Sequence, residues 1–352
     1  MKDKRSLEMD VIKGLGIIAI VIGHTESPLL RFVYSYHVVL FFFISGYFYK
    51  DKYTHKPITL IKKRIKTLYI PFIAYELIFL VLHNFFIKFN IYHFKYYSMG
   101  DFVSSAAKIL TFHEIQSEVL GQFWFIKVLF ITNIIFFLID FVFCKIKGFK
   151  KEILQVILFL VLFVVDVVAT QHIGSNKTAF TVPTASLVPV SLLAFGAGNI
   201  YKKYKAHVSL NIYFAVISLI GIIISCQFVG TNMGNFFIYP VVFLVNSVLG
   251  IYLNLYLSKI LVEKNVYKII EIIGKNSLAI LALHIICFKA INLAQIYVYN
   301  LSYSYLSHRI INMNNFWWIA YSIVGVLIPV ILSLWANKVL LFLKKIISKQ
   351  LA

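Results

Sequence analysis

The most informative side chains are three ionisable groups that lie in one apolar stretch near the start of the chain. Asp10, Lys13 and His24 are found in the sequence DVIKGLGIIAIVIGH. A charged or titratable group at membrane depth is costly, so each of the three is a candidate functional residue. An imidazole can take or give a proton near neutral pH, and a lysine can hold a phosphate or a carbonyl oxygen. The stretch therefore indicates proton transfer together with anion binding.

The spacing of these residues predicts how one helix would arrange them. Lys13 and His24 are eleven residues apart, about three helical turns, so they share a face and are separated by about 16 Å along the axis. Asp10 precedes Lys13 by three residues and can pair with it. The structural alternative is that Lys13 is an interfacial lysine paired with Asp10 and that His24 only bonds between helices.

A second apolar segment follows after a short polar turn. It contains His37 before an aromatic run and then Ser45-Gly46-Tyr47. His37, together with His284 much later in the chain, could complete a polar core with Tyr47, or the two histidines could make hydrogen bonds that only pack helices together. Ser45 could act in a nucleophilic relay, but a Ser-Gly pair is also typical of close helix packing, which we favour.

The elements that position these residues must be membrane helices. The chain has 352 residues, of which 60% are hydrophobic, and a mean hydropathy of +0.84. Many segments approach the roughly 20 residues that cross a bilayer. The sequence therefore predicts an all-α, polytopic transmembrane bundle. It has about ten spans, near residues 9–27, 34–50, 68–88, 122–143, 153–172, 183–200, 210–229, 235–258, 277–300 and 317–342.

The distribution of positive charge predicts the orientation of this bundle. Most of the 34 lysines and arginines fall in the segments on the same side as the N-terminus, which places both termini in the cytoplasm. The net charge of +20 is therefore explained by topology and by anionic lipids, and no nucleic-acid partner is expected. The abundance of Phe, Tyr, Ile, Lys and Asn suggests a bacterial source, so we expect a multi-pass protein of the bacterial inner membrane.

Cysteine usage and local motifs exclude several kinds of chemistry. Cys144, Cys226 and Cys287 have no metal-like spacing, and no disulfide framework is expected. The chain has no phosphate-binding glycine loop and no His/Cys cluster, so no metal is expected. The first helix lacks a cleavage site with small residues, which predicts that it is retained.

The first fifty residues resemble the acyltransferase-3 family of membrane acyltransferases. Members begin with a pattern like R-x4-D-x2-[RK]-G, followed by an apolar helix that ends in His and by H-x-P-L-F-F-x-x-S-G-Y/F. The matching residues here are Arg5, Asp10, Lys13, Gly14, His24, His37, Phe41, Phe42, Ser45, Gly46 and Tyr47. Lys13 stands where many members have Arg, and Val39 stands where the family usually has Pro.

Two later segments extend the resemblance. Lys63 and Arg64 lie in a basic loop before Pro71, as in a K/R-R-x-x-R/K-L-x-x-P pattern of the family. This loop could hold the phosphates of coenzyme A, or it could be a stop-transfer anchor, and both could apply. Further along, Gly274 and His284 fit a G-x-x-S-L-x-I/L-x3-H step.

Two irregular regions lie between these segments. In the long loop 89–121, apolar residues recur at helical spacing around Phe102, Ala106 and Ile109, which predicts an amphipathic helix on the membrane. The sixth span contains Pro183, Pro189, Gly196 and Gly198 and is expected to be irregular.

The resemblance implies an integral membrane O-acetyltransferase, or another short-chain O-acyltransferase, in one domain over residues 1–352 without an appended soluble domain. It would move an acyl group from cytoplasmic acetyl-CoA to a hydroxyl of a surface polysaccharide or of its lipid-linked precursor. The implied catalytic residues are His24, Lys13, Asp10, His37 and His284. The implied residues for the acetyl-CoA are Lys13, Lys63, Arg64, Tyr47 and Ser45.

Two matters remain open from the residues alone. Ten helices with buried charges and an irregular span fit a transporter of a small solute or an acyl group equally well on physical grounds. The expected partners are acyl-CoA, the glycan acceptor and membrane lipids, and the sequence leaves homo-oligomerisation undecided.

Overall fold

The computed structural model describes residues 4–115, 117–146, 148, 150–172, 184–314 and 316–350. Over these residues the chain forms helices and no strand. In chain order the α-helices are α1 Lys4–Gly23, α2 Leu30–Tyr34, α3 His37–Tyr47, α4 Pro57–Arg64, α5 Ile70–Val81, α6 His83–Lys88, α7 Met99–Leu110, α8 Ser117–Leu120, α9 Trp124–Phe143, α10 Lys151–His172, α11 Thr184–Tyr204, α12 Ile212–Phe228, α13 Pro240–Glu263, α14 Lys268–Lys275, α15 Ser277–Val298 and α16 Trp317–Gln350.

The long apolar helices confirm the all-helical membrane class. Six segments among the described residues are long and apolar enough to cross a bilayer. They are Leu30–Tyr47, Glu118–Phe143, Lys151–His172, Pro240–Glu263, Ser277–Val298 and Trp317–Leu343. Helix α12, with 17 residues, is also apolar but shorter. The count of ten spans and the orientation of the termini stay predictions.

Two helices differ from their predictions. The segment near 68–88 is not one helix, because a π-helical turn over Ile65–Tyr69 precedes α5, and α6 begins after a break at Leu82. The expected irregularity of the sixth span is wrong for the described part, because α11 is continuous through Pro189. Pro183 lies outside the described residues.

The glycines of α11 serve close packing instead of a break. A Cβ on Gly198 would overlap the carbonyl oxygen of Phe43, and a Cβ on Gly46 would overlap that of Phe195. Helices α3 and α11 therefore cross with their backbones in contact, as small residues permit in membranes. Gly46 therefore has a packing role.

The long loop contains the predicted helix. Helix α7 begins at a capping box, in which Ser98 and Asp101 exchange hydrogen bonds, and ends before Thr111. Hydrogen bonds from both the backbone and the hydroxyl of Ser98 lower the pKa of the Asp101 carboxyl to about 2. Ile109 on α7 is fully buried against the main core, so the helix lies against the bundle.

The bundle has two chemically different ends. We call the "histidine end" the region of His24, His37, His284 and Lys289, at the C-terminus of α1 and along α15. We call the "basic end" the region of Asp51, Lys63, Arg64, Lys151 and Lys203. At the basic end Lys151 lies 2.9 Å from Asp140 and Lys203 lies 2.7 Å from Glu152, so several of its cations are paired.

Candidate active site

Three of the predicted site histidines lie at one end of the bundle. The ring centroids of His24 and His284 are 5.1 Å apart. Tyr34 bridges to the third histidine, with its ring centroid 6.3 Å from that of His24 and 5.0 Å from that of His37. Residues 260 positions apart in the sequence therefore share one polar site inside an apolar bundle.

A close contact between two helices brings His24 and His284 together. A Cβ on Gly14 would overlap the carbonyl oxygen of Ile270, and a Cβ on Gly274 would overlap that of Asp10. Helices α1 and α14 thus touch at backbone distance at this level. From these glycines each segment runs ten residues further to its histidine, about 15 Å at the rise of a helix, and the two imidazoles meet there. The glycine that follows Lys13 is required for this contact.

The hydrogen bonds of His284 define which ring nitrogen carries its proton. Its Nδ1 lies 2.8 Å from the carbonyl oxygen of Ile280 and 3.1 Å from that of Leu281. Carbonyl oxygens only accept, so Nδ1 must be the donor and Nε2 of the neutral ring is the acceptor. That Nε2 is buried and has no hydrogen-bond partner among the described residues.

His24 presents the complementary arrangement. It follows the last residue of α1, and its backbone N–H bonds to the carbonyl of Val21 at 3.0 Å. Its side chain is partly exposed, while its Nδ1 is buried without a partner in the described part of the chain. An N–H at this Nδ1 would complement the free acceptor on His284, and the other nitrogen of His24 would be left as a base.

His37 is held in the same manner as His284. It begins α3 after a break at Ser35 and Tyr36, and its Nδ1 donates to the carbonyl of Val33 at 2.6 Å. The side chain is buried. The break comes without the proline that the family usually has two residues later. This arrangement is that of a residue that shapes the site beside Tyr34. The ring of His37 is linked to that of His24 through Tyr34, whereas His284 contacts His24 directly.

Asp10 and Lys13 lie far from the histidines, toward the basic end of α1. The Lys13 Nζ is 2.9 Å from a carboxylate oxygen of Asp10, as the spacing predicts. The side chains are 27% and 13% exposed, so the ammonium can still meet a ligand. It also lies 5.3 Å from the ring centroid of Phe48, which follows α3. The ammonium group of Lys13 is therefore positioned to bind an anion, and it does not contact the imidazoles.

Ser45 and Tyr47 lie along α3 between the two ends. The Ser45 hydroxyl donates to the side-chain oxygen of Asn133 on α9 at 3.4 Å. The Tyr47 hydroxyl lies 3.5 Å from the Nζ of Lys205, at the basic end. Asn133, which no sequence pattern selected, thus joins the predicted residues as a buried polar group near the middle of α9.

Arg64 is the most unusual residue of the basic end. Its side chain is 7% exposed, and Nε and Nη2 have no hydrogen-bond partner among the described residues. Burial lowers the pKa of the guanidinium to about 10, with Tyr53 and Tyr49 acting in the opposite direction, so it stays charged at neutral pH. Lys63 beside it donates to the hydroxyl of Tyr53 at 3.4 Å. A buried guanidinium with free N–H groups suits a phosphate or carboxylate ligand.

The predicted residues thus form two groups and not one. His24, His284 and His37 lie together, whereas Asp10, Lys13, Tyr47, Lys63 and Arg64 lie toward the basic end. Within the described part of the chain no contact joins Lys13 to Arg64. The same residues offer no group of three or more His, Cys, Asp or Glu side chains that could hold a metal.

Sequence reasoning missed two residues at the histidine end. Tyr34 contacts both His24 and His37, and Arg309 is near enough to act electrostatically on His24 and His284. Arg309 carried a weak signal, since it is one of few cations in segments predicted to lie outside. Tyr34 carried none, because a tyrosine at the start of an apolar segment is ordinary in membrane proteins.

Comparison with protein families gives one match. The family model described as an acyltransferase domain, of the acyltransferase-3 type, matches residues 6–334, nearly the whole chain. No curated protein matches the chain, and no solved structure matches it either.

Proposed function

The chain belongs to the acyltransferase-3 family of membrane acyltransferases, and from this premise we propose that it is an O-acetyltransferase or short-chain O-acyltransferase. It moves an acyl group from cytoplasmic acyl-CoA to a hydroxyl of a surface polysaccharide or of its lipid-linked precursor. The observation that carries the proposal is the pair of neighbouring imidazoles, His24 and His284, each of which has one buried ring nitrogen without a partner among the described residues.

His24 acts as the general base in this proposal. Its Nδ1–H turns toward Nε2 of His284, which fixes the tautomer and leaves Nε2 of His24 with a lone pair. This nitrogen takes the proton of the acceptor hydroxyl while the hydroxyl oxygen attacks the thioester carbonyl. The C–S bond breaks, and the thiolate of coenzyme A leaves with the proton from His24. Catalytic hydrogen bonds are often long without substrate, which fits the 5.1 Å between the rings.

The basic end holds the donor. Arg64 has free N–H groups for a phosphate, and Lys13 adds a second cation on α1. With about ten spans and both termini in the cytoplasm, this end faces the acyl-CoA pool and the histidine end faces the opposite side. Donor and acceptor then approach from opposite faces, and the thioester must reach about 16 Å along α1 from Lys13 to His24.

The first experiment compares surface glycans by NMR and mass spectrometry. Cells carry the wild-type gene, the His24→Ala variant, the His172→Ala variant or a deletion of the gene. His172→Ala is the matched control, because His172 is an exposed histidine at the end of α10. Ester-linked acyl groups should vanish with His24→Ala and with the deletion, at equal protein levels in membranes, and should persist with His172→Ala. An unchanged glycan in the deletion strain overturns the proposal and favours transport.

A second experiment tests the two-face arrangement. Radiolabelled acetyl-CoA is added to inverted and to right-side-out membrane vesicles. Label should enter the glycan only from inverted vesicles, because the donor cations are then outermost. Equal labelling in both orientations would contradict the arrangement.

A further inference from the structure

The segment between α15 and α16 folds back onto the histidine end and is fixed there by a buried lysine. Lys289 on α15 is 7% exposed. Its Nζ donates to three successive backbone carbonyls, those of Leu306 at 3.0 Å, Ser307 at 3.1 Å and His308 at 2.7 Å. All three ammonium N–H groups therefore have acceptors, and the backbone carbonyls of the loop take the place of water around the buried charge.

Further side chains of α15 and α16 fix the next residues of the loop. Asn292 donates to the carbonyl of His308 at 2.7 Å, and Gln295 donates to that of Ile311 at 2.8 Å. The backbone N–H of Ile311 bonds to the Tyr321 hydroxyl at 2.9 Å. The loop is therefore held on both sides of residue 309, which is unusual for a surface segment.

Residue 309 is an arginine in the part of the loop that lies beside the histidine pair. Lys289 follows His284 by five residues, about 7 Å along α15. On the other side Asn312 donates to Glu26, two residues beyond His24, at 3.4 Å. Consistent with this position, the positive charge of Arg309 is close enough to interact electrostatically with His24, Tyr34 and His284.

The guanidinium of Arg309 is available for a ligand. The side chain is exposed, and none of the described carboxylates forms an ion pair with it. Glu26 is instead bonded to Asn312. An exposed guanidinium on a backbone held at both sides can bind a planar anion through two parallel hydrogen bonds.

We propose that Arg309 is a specificity-determining residue that binds an anionic group of the acceptor. The group is a carboxylate or phosphate close to the hydroxyl that is acylated. This inference rests on the proposed function, because it assumes that the acceptor enters at the histidine end. It makes the acceptor an acidic glycan, such as one that contains uronic acid, and Lys289 the positioning residue that holds the loop.

The test measures binding and needs no acyl donor, so its outcome is separate from that of the acyl-transfer experiments. The full chain is placed in nanodiscs of phosphatidylcholine and titrated with three probes by ligand-observed NMR. The probes are phenyl β-glucuronide, phenyl β-glucoside, which lacks the carboxylate, and phenyl phosphate, which lacks the sugar. The variants are Arg309→Gln and Arg309→Lys, with Arg31→Gln as the matched control at an exposed arginine on α2.

The wild type should bind the glucuronide about tenfold more tightly than the glucoside, since a charge-assisted bidentate pair is gained. Arg309→Gln should abolish this preference, Arg309→Lys should reduce it, and Arg31→Gln should leave it intact. Phenyl phosphate bound as tightly as the glucuronide, and only when Arg309 is present, would support the anion site and assign it to a phosphate of the acceptor's lipid linker. Equal binding of glucuronide and glucoside by the wild type, or an unchanged preference in Arg309→Gln, would overturn the proposal.

Discussion

Two buried cations, one at each end of the bundle, are equally shielded from solvent and yet differ in their hydrogen bonding. Lys289 and Arg64 are each 7% exposed. Lys289 gives all its N–H groups to three backbone carbonyls, whereas Nε and Nη2 of Arg64 have no partner among the described residues. A satisfied buried charge stabilises the fold around it, but an unsatisfied one costs free energy unless a ligand completes it. Lys289 therefore has a structural role, whereas Arg64 indicates a binding site.

The comparison predicts opposite effects on stability when each cation is replaced by methionine. Lys289→Met leaves the carbonyls of Leu306 and Ser307 without this donor, while the carbonyl of His308 keeps the hydrogen bond from Asn292, so the free energy of unfolding should fall by about 2 kcal/mol or more. Arg64→Met removes a poorly compensated charge and should leave the stability unchanged or raise it. Thermal unfolding of both variants in one detergent gives the measurement. Equal destabilisation of the two would show that the contrast is false.

At the histidine end, the next largest effect should come from His284. In the proposed mechanism, His284→Leu removes the acceptor for the Nδ1–H of His24, so it should lower the rate of acyl transfer about 100-fold without changing the affinity for acetyl-CoA. His284→Gln keeps an acceptor oxygen and should retain part of the rate. Thioester consumption by membranes at equal protein content measures both. A leucine variant as active as the wild type would remove His284 from the mechanism.

At the basic end, the expected effect is on donor binding. Arg64→Gln should raise the KM for acetyl-CoA about tenfold with little change in kcat, because a phosphate contact is lost in both the bound and the reacting state. Lys66→Gln, at an exposed lysine of the same segment, is the matched control and should behave like the wild type. A lowered kcat with unchanged KM would place Arg64 in the chemistry instead.

The smallest effect should come from Lys13→Arg. The family often has arginine here, and Asp10 would still pair with the cation, so the KM for acetyl-CoA should change less than about threefold. Lys13→Gln removes the charge and should raise the KM further. The same thioester assay measures both variants. A large loss with arginine would show that the site requires the compact ammonium group.

Much of the fold follows from local patterns in the sequence. The long apolar segments confirm the membrane-helical class. The three-residue spacing brings Asp10 and Lys13 together without help from the rest of the chain. The helix in the long loop 89–121 was also predictable, because Phe102, Ala106 and Ile109 recur at helical spacing. The resemblance in the first fifty residues led to the family that the match over residues 6–334 confirms.

Local patterns gave a wrong prediction where a residue is explained by its contact with another helix. Pro189 and the glycines near Gly198 suggested a broken helix, yet α11 is continuous and Gly198 serves contact with α3. The roles predicted for His24, His37 and the other site residues stay predictions. The structure adds that these residues lie in two groups, one at the histidine end and one toward the basic end.

By itself the sequence determined the helical membrane class and placed a cation and an imidazole three turns apart on the first helix, because both depend on periodicity along one segment. The tertiary structure alone decided that His24 meets His284, since this depends on the backbone contact at Gly14 and Gly274 between helices distant in sequence. It also decided that Lys289 fixes the loop that presents Arg309. Hydrogen bonds to loop carbonyls depend on how the chain folds back, which no spacing of residues encodes.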